Sequence, residues 1–426
     1  MGTEISLNIG ELSVSWSKNS MGIDHGVIFQ EENRIPVKSD YINYDYDKEQ
    51  NQNLTSIEMA FSIELKTIVP RLELLGFTLK SIKKEYNDLV KNWKEEYQFL
   101  EEEGRKLNVM SFDEFCLFIK KYPIKNLDNT YTSYDYNDIK KIRKRFEYIP
   151  TIKCLPYEDF IEKDAYSELN YFEGLISFLH PYSLLRILAE CSSNLSEKVI
   201  WQYGPLVEAG WAKEEDFKAN VKREHRFLIA TEGSSDVHIL KHAFSILKPE
   251  IEDFFYFIDV TERHPFSGTG SLVKFAEGLI KIDTLNNILF VFDNDAEGIE
   301  AFNKVNSLNI PSNMQVIVLP DLEEFNNFQT QGPEGLFSAN INGRAAAIEC
   351  YLDLNVKNYP SPKIIWTNYK EKIKTYHGVL EYKESYQKEF FKQTRKTILN
   401  GSYSVDKLQS VINCIIKNCV SIAERK

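Results

Sequence analysis

Three absences narrow what this 426-residue chain can be. No apolar run approaches the roughly 18 residues that a membrane span needs, so no membrane partner is expected. No Gly-Lys-Ser or Gly-Lys-Thr occurs, which excludes a Walker-type phosphate loop and leaves sensing either to a sensor or ATPase partner protein or to the helical region. Cysteine is sparse: Cys116, Cys154, Cys191, Cys350, Cys414 and Cys419 are scattered without metal-ligand spacing. Cys414 and Cys419 lie on an apolar helical stripe, which explains them without zinc. With no secretory signal in view, isolated thiols fit a reduced, cytoplasmic setting.

What is present is a packed globular composition, 43% hydrophobic and 13% aromatic, long enough for two or three domains. Net charge is −12, which at first argues against nucleic acid. The distribution changes that. Leu354 to Lys426 holds 14 Lys/Arg against 6 Asp/Glu, a net +8, which leaves −20 on the first 353 residues. A basic segment on an acidic body is compatible with a phosphate-binding face, or with a plain solvated one. Lys370, Lys372, Lys374 and Lys383 are its candidate phosphate contacts. The run Lys140-Lys141-Ile142-Arg143-Lys144-Arg145 reads more simply as a solvated helix turn.

Ile5, Leu7, Ile9 and then Leu12, Val14, Trp16 alternate with polar residues around Gly10-Glu11, a hairpin pattern. Val27 to Phe29 and Ile35 to Val37 are further strand candidates. From Leu54 to about Ala219 the period is helical. Leu65, Ile68, Leu72, Leu75 and Leu79 form a stripe that Pro70 should kink or divide. Ser111-Phe-Asp-Glu114 predicts a capping box before Phe115 to Ile119. Asp128 to Asp138 reads as an exposed loop. Strands are then expected near 226–231, 254–260, 287–292 and 314–319, with helices between, which predicts a parallel sheet. Residues 321–342 read as irregular, and helices are expected from Gly343 to the end.

Two acidic motifs follow apolar runs. Phe227 to Ala230 leads into Thr231-Glu232-Gly233-Ser234-Ser235-Asp236. Ile288 to Phe292 leads into Asp293-Asn294-Asp295-Ala296-Glu297-Gly298. Carboxylates at strand ends sit at the carboxyl edge of a parallel sheet, where α/β units bind ligands. Oxygen ligands of this kind hold hard divalent ions, and such ions catalyse phosphoryl transfer. A calcium loop is excluded, since its twelfth position, counted from Asp293, is Lys304 rather than glutamate. Gly268-Thr269-Gly270-Ser271 precedes a helix and reads either as a phosphate site, through the N–H groups of Gly268 and Gly270 with His264 nearby, or as a plain loop and helix start.

From about Arg226 to Pro320 these residues resemble a Toprim domain, the metal-binding module of topoisomerases, primases and several nuclease families. The form Glu232-Gly-x-x-Asp236 resembles the nuclease branch typified by overcoming-lysogenization-defect enzymes. Ile348-Glu349-Cys350-Tyr351-Leu352 is similar to that branch's Ile-Glu-Asn-Tyr-Leu segment, with Cys350 in place of Asn. Leu319-Pro320-Asp321-Leu322-Glu323 stands where the branch has Asp-x-Ser. The first 40 residues or so, with Ser15-Trp-Ser-Lys-Asn19 and Gly22-Ile-Asp-His-Gly26, resemble the HEPN/Toprim N-terminal domain of bacterial proteins tied to conflict with phage. HEPN ribonuclease chemistry is not implied, because no histidine follows an arginine after four to six residues.

The resemblance implies an α/β Toprim core with a four-stranded, mainly parallel sheet, a small N-terminal β segment, and helical regions on both sides. The expected domains are 1–50 (β), 51–222 (helical), 223–345 (Toprim) and 346–426 (basic, helical). It implies a Mg²⁺- or Mn²⁺-dependent endonuclease on DNA or RNA, acting as a toxic antiphage effector. Glu232, Asp293 and Asp295 would be catalytic, and Glu232, Asp236, Asp293, Asp295 and Glu349 would hold metal. A homo-oligomer is expected. The alternatives are a primase- or topoisomerase-type phosphoryl transferase and a non-catalytic metal- and nucleic-acid-binding module.

Overall fold

The computed structural model describes residues 2–39, 56–96, 98, 109–132, 136–146, 166–259, 268–282, 284–356 and 359–425. Cys154, Arg263 and His264 lie outside the described residues, as does part of the expected loop from Asp128 to Asp138. The chain divides into two compact units, Met1–Val221 and Lys222–Lys426.

In the first unit the hairpin forms as β1 (Glu4–Ile9) and β2 (Leu12–Lys18), antiparallel, with Ile5, Leu7 and Ile9 buried. It is not a separate small domain. With β3 (Arg34–Pro36), β4 (Met59–Glu64) and β5 (Lys198–Gln202) it makes one five-stranded sheet, ordered β2-β1-β5-β4-β3. β1 pairs with a strand some two hundred residues away, so the N-terminal strands belong to the same unit as the helices that follow. Val27 and Ile28 are in a 3-10 turn rather than a strand.

The helices are α1 (Leu65–Leu74), α2 (Leu79–Glu96), α3 (Phe112–Lys121), α4 (Tyr136–Arg145), α5 (Glu168–Ile176), α6 (Pro181–Leu188) and α7 (Gly204–Glu208). Pro70 does not divide the stripe; it sits inside α1. The break comes at Gly76, with φ of +93°. There Gly76 N–H donates to Glu73 O and Phe77 N–H to Leu72 O, the paired bonds of a glycine-terminated helix. The Ser111 capping box closes both ways: Glu114 N–H donates to Ser111 Oγ, and Ser111 N–H to Glu114 Oε2. The basic residues Lys140 to Arg145 are an exposed face of α4.

The second unit is built on a four-stranded parallel sheet, ordered β10-β8-β6-β7: β6 (Phe227–Ala230), β7 (Phe255–Phe257), β8 (Asn287–Phe292) and β10 (Met314–Val318). The fold is mixed α/β, with helices flanking this sheet. All six residues of β8 are buried, as a strand covered on both faces requires. Helix α8 (Ser234–Leu247) follows β6, α9 (Thr269–Lys281) precedes β8, and α10 (Ala296–Asn306) follows it. Leu272, Ala276 and Val305 pack with Ile288, Phe290, Phe292 and Met314 in one apolar cluster. β9 (Asn294–Asp295) pairs with β13 (Ala345–Ala346) in a two-residue ladder.

Two sequence expectations fail in this unit. Residues 321–342 contain a hairpin, β11 (Phe328–Gly332) with β12 (Gly335–Ala339). The region after Gly343 is not all helical: β14 (Ile364–Lys370) and β15 (Thr375–Leu380) form a second hairpin. β11 and β14 pair in parallel, giving a sheet ordered β12-β11-β14-β15. The segment's positive charge is what obscured it. Ile364-Ile365-Trp366 and Tyr376-His-Gly-Val379 have the β-branched and aromatic content of strands. Helices α11 (Lys383–Phe390), α12 (Arg395–Leu399) and α13 (Asp406–Ala423) complete the unit.

Candidate functional site

Each acidic motif emerges at the carboxyl end of a parallel strand. β6 ends at Ala230, and Glu232 follows two residues later, ahead of α8. Asp236 lies in the first turn of α8, where its Oδ2 accepts from Gly233 N–H at 3.0 Å and its Oδ1 from Ser235 Oγ at 3.2 Å. β8 ends at Phe292, so Asp293 is the next residue. Asp295 caps α10, its Oδ1 accepting from Glu297 N–H at 2.9 Å and Gly298 N–H at 2.8 Å.

Glu349 comes from a 3-10 turn, Ile348–Tyr351. Tyr351 Oη anchors that turn by donating to Pro320 O at 2.7 Å, just past β10. Cys350 is buried, its thiol 3.5 Å from Ala345 O.

These acids are brought together. Glu232 Oε1 accepts from Asp293 N–H at 3.0 Å, and Asp293 Oδ1 accepts from Ile348 N–H at 3.0 Å. Glu232 Oε2 accepts from the Thr269 hydroxyl, and Glu349 Oε1 from Gln387 Nε2 at 2.6 Å. Desolvation pushes Glu232 up to about 7, opposed by Thr269 and reinforced by the charge of Asp295. Asp236 is also pushed up to about 7 by desolvation, then by the charge of Glu349, while Lys383 opposes. Desolvation and then the charges of Asp236, Glu232, Asp295 and Glu349 raise Asp293 well above the usual carboxylate range. Asp295 is raised by desolvation, against the N–H bonds that hold it and the nearby His377.

Among the described residues no three His, Cys, Asp or Glu side chains are already grouped around a metal position. The carboxylates are turned onto backbone, hydroxyl and amide donors instead. The donor set nevertheless suits a hard divalent ion. It is oxygen-rich, and it carries mutual repulsion that a cation would relieve. The residues able to hold such an ion are Glu232, Asp236, Asp293, Asp295 and Glu349.

The spacing Asp293-x-Asp295-x-x-Gly298 has a steric origin. A Cβ on Gly298 would lie 2.1 Å from Asp293 O. The chain can fold from β8 into α10 this tightly only without a side chain there. Gly298→Ala is therefore expected to lose about 1–3 kcal/mol or more of stability and to displace Asp293. Chemical denaturation checks this, and an alanine variant as stable as wild type would refute the steric argument.

The expected phosphate contacts divide. Gly270, Lys370 and Lys372 line one cavity of about 610 Å³, with Lys274 and Lys304. Within it Lys370 pairs with Glu297 and Lys372 with Glu300, each at 2.6 Å. Lys374 is an exposed turn residue with φ of +52°, and Lys383 begins α11; neither lines that cavity. Gly268 is corrected outright: its N–H donates to Glu232 O at 2.8 Å and is not offered to a phosphate. Asp321 accepts from Asn294 Nδ2 at 2.7 Å and so braces the loop between the two motif acids.

Sequence reasoning missed several neighbours of the acids. Thr269 and Gln387 hold carboxylates. His377 on β15 puts Nδ1 3.7 Å from Asp295 Oδ2, and that buried nitrogen has no hydrogen-bond partner among the described residues. Nothing in the sequence marked His377 or Gln387. Asp259 was findable, because it follows the apolar run Phe254 to Ile258 as Glu232 and Asp293 follow theirs. It is buried and ion-paired with His238 at 3.3 Å and Lys241 at 3.4 Å.

Sheet edge and acids together define the second unit as a parallel α/β unit with a carboxylate centre. The chain belongs to the family described as HEPN/Toprim N-terminal domain 1, which matches residues 1–225. That match reaches well beyond the first 40 residues expected to carry it and ends close to the boundary between the units. The acids lie beyond it. No curated protein and no solved structure matches the chain.

Proposed function

We propose that the second unit is a Toprim-type catalytic domain and that the protein is a metal-dependent nuclease hydrolysing phosphodiester bonds of DNA or RNA. The observation that carries this reading is the convergence of Glu232, Asp236, Asp293 and Glu349 on one sheet edge, each tied to the next by a hydrogen bond or by charge. A divalent cation bound there would neutralise charge on the scissile phosphate and activate water. The chain's own groups do the positioning. Thr269 and the Asp293 N–H orient Glu232, Gln387 orients Glu349, and the α10 N–H groups orient Asp295. Lys383, near enough to act on Asp236, supplies fixed positive charge. Membership of a family named for HEPN and Toprim modules supports the same reading, and a role as a toxic antiphage effector in the cytoplasm is proposed by that resemblance.

The second reading, a non-catalytic module, is favoured by one observation: no three acids stand ready around a metal position. Purified protein incubated with plasmid, single-stranded DNA and tRNA decides between them. Cleavage is expected with Mg²⁺ or Mn²⁺ and none in excess chelator. Undiminished cleavage in chelator would overturn the metal mechanism, and binding without cleavage under all conditions would favour the module.

A further inference from the structure

A second cavity, of about 390 Å³, lies on the sheet formed by β11, β12, β14 and β15. Gly332, Glu334, Phe337, Arg344, Trp366 and Tyr376 line it. Phe337 and Tyr376 are exposed, and Trp366 is half-buried, its ring centroid 6.5 Å from that of Tyr376. Two exposed rings beside a half-buried indole make an apolar patch of the kind that marks a binding surface.

The local sequence keeps a slot open between the rings. A Cβ on Gly332 would sit 3.3 Å from Phe337 Cε1 and 3.7 Å from Trp366 Cδ1. Gly378 seats the indole from another side, since a Cβ there would come within 2.9 Å of Trp366 Cε3. The Arg344 guanidinium is exposed and makes no ion pair or hydrogen bond among the described residues.

The cavity is joined to the acid centre through backbone. Arg344 O accepts from Ala296 N–H and from Gly378 N–H, each at 3.3 Å, and residue 344 bridges Asp295. Tyr376 immediately precedes His377, which faces Asp295. The Arg344 backbone thus stands between the slot and Asp295, while Tyr376 and His377, consecutive on β15, direct their side chains to opposite faces of the strand.

Planar rings, an unpaired guanidinium and an acid at the rim fit one kind of occupant, an unpaired nucleotide. Rings stack on a base, Glu334 accepts from base N–H groups, and the guanidinium takes the adjoining phosphate. We infer that Phe337, Trp366, Tyr376 and Arg344 form a base-stacking subsite that holds one unpaired nucleotide beside the acid centre. This rests on reading that centre as acting on nucleic acid. It commits the substrate to single strands, or to duplexes with a base turned out, because a base in a continuous stack cannot enter the slot.

Binding is measured by fluorescence anisotropy in excess chelator, where no cleavage occurs. The probes are labelled oligothymidylate, oligouridylate, an abasic oligomer of the same length, and a blunt duplex. Wild type is expected to bind one of the base-bearing strands on the order of tenfold more tightly than the abasic strand. Trp366→Ala, Tyr376→Ala and Gly332→Val should each reduce that preference, and Trp366→Phe should keep most of it. Gly332→Val fills the slot without removing a ring, so it serves if Trp366→Ala fails to fold. Equal affinity of wild type for base-bearing and abasic strands, or an undiminished preference in all three variants, overturns the subsite. Base-dependent binding by a protein that never cleaves would sink the nuclease reading and leave the subsite standing. Cleavage without base preference would do the reverse.

Discussion

Asp293→Asn is expected to abolish cleavage and, at the same time, to raise the melting temperature of the metal-free protein. Asparagine keeps the Oδ1 acceptor that takes Ile348 N–H, so the 3-10 turn carrying Glu349 stays in place. What it removes is the charge at the most crowded point of the cluster, the carboxylate raised by desolvation and by four neighbouring acids. Electrostatic stabilisation lost from a pre-organised site costs roughly 10²–10³ in rate, and the loss of a metal-holding group should reach at least that. The stability gain should appear as a few degrees, since about 1 kcal/mol moves a domain of this size by roughly 2–4 °C. Cleavage assays and thermal scans on the same preparation read both. Wild-type cleavage by the variant would show that the acids are not the reacting centre. Loss of cleavage with a lower melting temperature would instead point to a structural role for Asp293.

The second large effect is the pH dependence of stability and of its response to divalent ions. Glu232 and Asp236 are held near 7 in the folded protein, above the ordinary 4.5 and 3.8 of their types. Raised carboxylates bind more protons folded than unfolded. Their contribution is complete below about pH 4 and is lost as pH rises through 7. Metal-free protein should therefore be less stable at pH 8 than at pH 5.5. Added Mg²⁺ should stabilise more at pH 8, where it need not displace protons. Near pH 7 its binding should release protons, seen as heats that change with the buffer's ionisation enthalpy. A ligand at a hundred times its dissociation constant adds about 2.7 kcal/mol, which a thermal scan resolves easily. A larger Mg²⁺ effect at pH 5.5, or none at either pH, would contradict a cation site among these acids.

The acids were legible in the sequence for a reason that does not extend to the rest of the site. Glu232 and Asp293 each follow a short apolar run, and a fully buried parallel strand has to be such a run. The sheet edge is therefore written locally. β1 and β2 were legible in the same way, but their partner β5 was not, because no local pattern announces a pairing across nearly two hundred residues. β14 and β15 failed differently. Both carry exposed aromatics, Tyr369 and Tyr376, and lysines at the connecting turn, so neither face alternates cleanly. The segment read as a basic helix for that reason, and it carries His377. Pro70 was overweighted: it sits mid-helix in α1, where the buried packing of Ile68 and Leu72 holds the helix together despite the missing N–H.

Asp295 holds the first turn of α10 with one carboxylate oxygen and turns the other toward His377. One side chain thus serves both the helix and the acid centre. Any substitution there confounds two effects, because loss of the cap alone costs about 1 kcal/mol. Asp293 carries no cap. For anyone needing an inert but native protein, to trap a substrate or to test toxicity in cells, position 293 is the separable one, and a null result at 295 would be ambiguous by construction.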